Sequence, residues 1–209
     1  MAAEFHKPAH FGGAEFEAFA GGEDPAAVRR TAHESAQALL ARARRSEDPA
    51  VVGRLVTYTD EHGIDALAEL WARSAPTSLP GALWRIYLVR AMIHHDPVTA
   101  AVLFQRGVEV LRTIDPVVAG APTPAGPGEI DELADRILRG LFEGDFAIAL
   151  DRAAAFCRVA AAGASSIADD QEATDPERAR ELTTRALRLT TTADELAACA
   201  RLARDDSLD

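Results

Sequence analysis

Lysine is almost absent: Lys7 is the only one in 209 residues, and arginine carries the rest of the basic charge. Basic residues are outnumbered altogether, 22 against 33 acidic ones, for a net charge of −11. That balance lacks the basic footprint that direct duplex nucleic-acid binding needs, and it favours solubility. The arginine bias reads as GC-rich coding of the kind found in high-GC bacteria. Cysteine is scarce as well. Cys157 and Cys199 lie far apart in alanine-rich runs, which reads as two small buried hydrophobes in a reducing cytosol rather than a disulfide framework or zinc site. No apolar run approaches the ~20 residues of a membrane span, and no charged-then-apolar leader follows Met1. The expected location is therefore cytoplasmic, with no membrane partner. Strand-like alternation of polar and apolar residues is missing too.

What is present is helix-forming. Alanine, the best helix former, occurs 44 times. Five Asp-Pro pairs punctuate the chain, at Asp24-Pro25, Asp48-Pro49, Asp96-Pro97, Asp115-Pro116 and Asp175-Pro176. An N-cap aspartate accepts hydrogen bonds from the unpaired backbone N–H groups, and a proline in the first turn has no N–H to leave unpaired. The expected fold is all-α, a bundle of about eight or nine helices over residues 24–209. Stacked helical hairpins are the alternative arrangement, suggested by the spacing of the first Asp-Pro pairs.

Residues 1–23 stand apart as an irregular, Gly-rich arm holding half of the eight phenylalanines, Phe5, Phe11, Phe16 and Phe19. The helices expected after it cover Pro25–Arg45, Pro49–His62 (ended by Gly63), Ile64–Ser74, Gly81–His95 and Pro97–Thr113. A Pro/Gly-rich break at 114–128 is a possible subdomain boundary. Beyond it, helices are expected over Glu129–Phe142, Asp145–Ala162, Pro176–Thr190 and Ala193–Arg204. The last opens on Thr192 and Glu195, a capping-box pattern. Gly81–His95 is apolar in nearly every direction and is the expected central helix, with Trp84 in the core. Arg85 and Arg90 on that helix need partners, either carboxylates of neighbouring helices or a bound anion.

The sharpest catalytic candidate is Ala91-Met92-Ile93-His94-His95-Asp96. An apolar helix ending in His-Asp resembles the core signature of the HD-domain metal-dependent phosphohydrolases, an all-helical family. The resemblance implies a metal held by His62 upstream, the His95-Asp96 doublet and a later aspartate such as Asp145, activating water for attack on phosphate. Pro97 follows the doublet where that family continues differently, and Asp96 matches the other Asp-Pro caps. His6 and His10 share a helical spacing, but Pro8 lies between them. No nucleophile elbow and no phosphate loop is present.

These features favour a non-enzymatic adaptor or regulatory protein that binds another protein through its acidic helical surface and its aromatic arm. The partner expected is one with a basic surface, and no cofactor is expected. The alternatives are the phosphohydrolase centred on His95-Asp96 and a helical small-ligand-binding domain.

Overall fold

A computed structural model describes residues 24–45, 70–122 and 124–209. Among the described residues there are seven helices and no strand: α1 (Pro25–Arg45), α2 (Leu79–His95), α3 (Pro97–Val110), α4 (Asp115–Ala119), α5 (Pro127–Glu143), α6 (Phe146–Gln171) and α7 (Pro176–Arg204). The all-α expectation holds. The expected aromatic arm and the helix over Pro49–His62 lie outside the described residues, as does most of Ile64–Ser74.

The Asp-Pro punctuation works at three of the four described sites. Asp24 accepts from the Ala26 N–H at 2.9 Å, Asp96 from Thr99 at 2.9 Å and Asp175 from Arg178 at 3.1 Å. Asp115 differs, because α4 is capped by Ile114 and the Asp115 carboxylate instead receives the Arg158 guanidinium of α6 at 2.6 and 2.8 Å. That ion pair pins α4 to α6, so the stretch 114–128 contains a docked helical turn instead of an open break. Gly120 closes α4 in the left-handed region, φ 77°, where a side chain would be strained.

Two expected helix ends are not ends. α6 continues through Gly163 to Gln171, and α7 runs unbroken from Pro176 to Arg204. Thr192 does not cap a new helix. Its hydroxyl donates to the Arg188 carbonyl one turn back, as four other threonines of α7 do to theirs. Glu195 is occupied elsewhere, by Arg85 of α2. The long α6–α7 hairpin replaces three expected segments.

The central helix is α6, not α2. α6 buries fourteen of its side chains or glycines, nine of them alanine, and packs against α2, α3, α4, α5 and α7. Stacked hairpins would restrict each helix to its sequence neighbours, so contact with five helices describes a bundle around one axis. α2 is buried on one side only. Trp84 is half-buried and Leu88 is 46% exposed, whereas Trp71 is fully buried. The Trp71 indole N–H donates to Ser35 of α1 at 3.0 Å, and its ring lies 6.3 Å from that of Tyr87. On α3, Val98 and Val102 face outward, leaving Ala101 and Phe104 inward.

Small residues let α3 and α6 come together backbone to backbone. A Cβ added at Gly163 would collide with the Leu103 carbonyl, and one added at Gly107 with the Val159 carbonyl. Phe104 and Phe156 stack beside this crossing, ring centroids 5.4 Å apart. Gly163→Ala should therefore destabilise the fold by about 1–3 kcal/mol, the range for overpacking a close-packed core. Gly128→Ala, where an added Cβ meets nothing within 4 Å, should be neutral or stabilise by up to ~1 kcal/mol. Urea unfolding of both variants checks the pair. Equal stability of the two would contradict the close crossing.

Candidate functional site

Ion pairs set how α2 lies between its neighbours. Arg90 donates to Asp135 of α5 at 2.8 Å, and His94 lies 2.7 Å from Asp131 and 3.1 Å from Asp135. The numbering rises along α2 as it falls along α5, so the two helices are antiparallel. On the other flank Arg85 donates to Glu195 of α7 at 2.5 Å and to the Gly81 carbonyl at 3.0 Å. Cys199 donates to the Pro76 carbonyl at 3.4 Å just before α2 begins. α7 is thus antiparallel to α2 as well. Both expected arginines hold carboxylates of neighbouring helices.

Past the Arg85–Glu195 pair, α2 and α7 diverge around a groove of about 740 Å³. Leu88, Val89 and Met92 from α2 and Leu189 from α7 line it with apolar surface. Arg180, Arg185 and Arg188 project from successive turns of α7, accompanied by Glu177 and Glu181. Glu181 is paired with Arg178 at 2.9 Å. Among the described residues no carboxylate forms an ion pair with Arg180, Arg185 or Arg188. In a chain of net charge −11, this groove carries a local excess of positive charge over an apolar floor. Sequence reasoning missed it because its residues come from two distant helices. The one available signal was Leu88, apolar on a face that the packing leaves outside.

The metal candidates do not converge. Asp96 ends α2 and caps α3, and Asp145 caps α6 by accepting from the Ile148 N–H at 3.0 Å. His95 is exposed, and His62 lies outside the described residues together with Phe5, Phe11, Phe16 and Phe19. No group of three or more His, Cys, Asp or Glu placed to hold a metal ion exists among the described residues. No described helix is long and apolar enough to cross a membrane.

Several titrating groups are tuned by these contacts. The bond and backbone N–H of Thr99 hold the Asp96 carboxyl below its ordinary 3.8, aided by Arg185 nearby. Burial pushes the Asp135 carboxyl up, but bonds and charge from Arg90 and His94 outweigh it and leave it lowered. Burial raises the Cys157 thiol to about 12 and the Cys199 thiol to about 11.

No known protein family, curated protein or solved structure matches this chain.

Two measurements follow from this chemistry. Both thiols should resist iodoacetamide at pH 8 in the folded protein and react fully in urea, since the thiolate is the nucleophile; rapid native labelling would refute the burial. A carboxyl whose folded pKa is lowered stabilises the fold above its unfolded pKa, and that contribution is lost as pH falls through the folded value. Stability should therefore decline below about pH 3.8 as Asp96 and Asp135 protonate. Asp135→Asn should flatten that acid limb in a pH series of urea midpoints.

Proposed function

We propose that this chain is a non-enzymatic adaptor or regulatory protein that works by binding another protein, with the α2–α7 groove as its docking surface. The observation that carries the reading is the open apolar floor of Leu88, Val89, Met92 and Leu189 beside three arginines without ion-pair partners among the described residues. An apolar groove between two helices accepts an amphipathic segment side-on. Arginine flanking such a groove selects acidic side chains on that segment and speeds the encounter. The chain carries a net charge of −11, although α1 exposes Arg29, Arg30, Arg42, Arg44 and Arg45, so the partner suited to it is basic over its surface away from α1 and presents one acidic, apolar segment to the groove. The aromatic arm adds a second contact.

The rival reading, a metal-dependent phosphohydrolase at His95-Asp96, has less support. Asp96 is engaged as a cap on both sides of the α2–α3 junction, and Asp145 is engaged as a cap of α6.

A photo-crosslinking residue in place of Leu88 should trap a partner that binds the purified protein on its own. Arg185→Glu with Arg188→Glu should then weaken that partner by about tenfold, and Val117→Glu, on exposed α4 surface, should not. Unchanged affinity in the double reversal would remove the groove from the binding surface. Metal analysis provides the check on the rival reading: the expected result is no stoichiometric Mn, Fe or Zn, and near-wild-type stability for His95→Ala and Asp96→Ser. One equivalent of metal that is lost in His95→Ala would overturn the adaptor reading.

A further inference from the structure

We propose that the occupant of the α2–α7 groove in the free protein is the chain's own segment 1–23, which a partner must displace. This rests on the groove being a segment-docking surface, as above, and adds the identity of its resident. The case is one of complementarity. The segment carries Phe5, Phe11, Phe16 and Phe19, matching an apolar floor, and four glutamates, Glu4, Glu15, Glu17 and Glu23, against the single Lys7. Glu15 and Glu17 bracket Phe16, so acidic groups flank the ring that would enter. The groove offers Arg180, Arg185 and Arg188, none in an ion pair among the described residues. A phenyl ring can also take a guanidinium on its face.

Reach supports the same occupant. The start of α1 borders Ser74 through the small cleft lined by Pro25, Val28 and Arg73. Two residues on, Pro76 touches Cys199 of α7, and the groove begins at Thr192 on that helix. Along α2, Leu79 to Leu88 is a rise of roughly 14 Å. Phe19 stands roughly 17 Å of extended chain ahead of Asp24, and Phe16 roughly 26 Å. The cleft and residues 74–79 add to the rise along α2, so Phe19 falls short of Leu88, whereas Phe11, roughly 43 Å of extended chain ahead of Asp24, spans the whole path without unwinding any described helix.

The experiment uses the full-length chain. Phe11→Cys is combined either with Leu88→Cys in the groove or with Val117→Cys, which is 82% exposed on α4 and lines no part of the groove. Each pair is oxidised with copper-phenanthroline, and the buried Cys157 and Cys199 do not compete. The expected result is a rapid intramolecular disulfide for the groove pair and roughly tenfold slower closure for the Val117 pair. Arg185→Glu with Arg188→Glu should slow the groove pair by about tenfold, and adding Glu15→Arg with Glu17→Arg should restore it. Equal rates at Leu88 and Val117 would overturn the proposal. So would disulfides that form only between two molecules, which would assign the groove to a second copy. Loss of the groove disulfide with partner binding intact would remove the resident and leave the adaptor reading standing. Loss of partner sensitivity to the Arg185 and Arg188 reversals, with the disulfide retained, would do the opposite.

Discussion

The backbone contact between α3 and α6 at Gly107 and Gly163 is the constraint on which the rest of the bundle depends. Carbonyl groups of each helix lie against glycine of the other, a separation no side chain would permit. Such an approach suits Cα–H···O contacts and tight dispersion packing. It also explains the alanine content of α6. A helix surrounded by five others has no room for large side chains on most of its faces, so Ala153, Ala154, Ala155, Ala160, Ala161 and Ala164 are buried where Leu would force the neighbours apart. The larger groups sit one layer out, on α2 and α5, where Leu83, Ile86, Ile130, Leu138 and Leu141 fill the remaining space.

Charge then fixes direction where shape alone does not. Apolar faces of α2, α5 and α7 would tolerate more than one register, but Arg90–Asp135, His94–Asp131 and Arg85–Glu195 are satisfied together only in the antiparallel arrangement seen. Arg90 is almost wholly buried, so a slipped register would take its charge away from Asp135 inside the bundle, at a cost well above that of a surface pair. Arg158–Asp115 acts likewise between α6 and α4, and Arg204 with Asp151 closes the far end of the α6–α7 hairpin.

Local signals were legible in the sequence and long-range ones were not. Asp24, Asp96 and Asp175 cap helices as their Asp-Pro spacing implies, because capping is decided within three residues. Gly163 and Thr192 misled for the same reason. Each has a strong local preference, for a helix end or a helix start, and each is overridden by tertiary contact: Gly163 by the α3 backbone against it, Thr192 by Arg85, which takes the Glu195 carboxylate that a capping box would need. Trp84 and Trp71 show the same limit, since both lie in apolar runs and only the packing of α1 and Tyr87 selects Trp71 for the core. The groove was illegible from sequence because it exists only where α2 and α7 part, and neither helix alone announces that.

Asp96 joins α2 to α3 with no intervening residue, closing one helix and opening the next at a single backbone setting of φ −148° and ψ 75°. A joint of this kind has no slack. A tilt of α2 relative to α3 has to be taken up at this one pair of dihedral angles, while α2 is also held directly against α5 and α6. At the other end of α3, Arg106 reaches across to Ser166 and Asp170 of α6, so a helix hinged on one residue at its start is tethered by side chains near its finish.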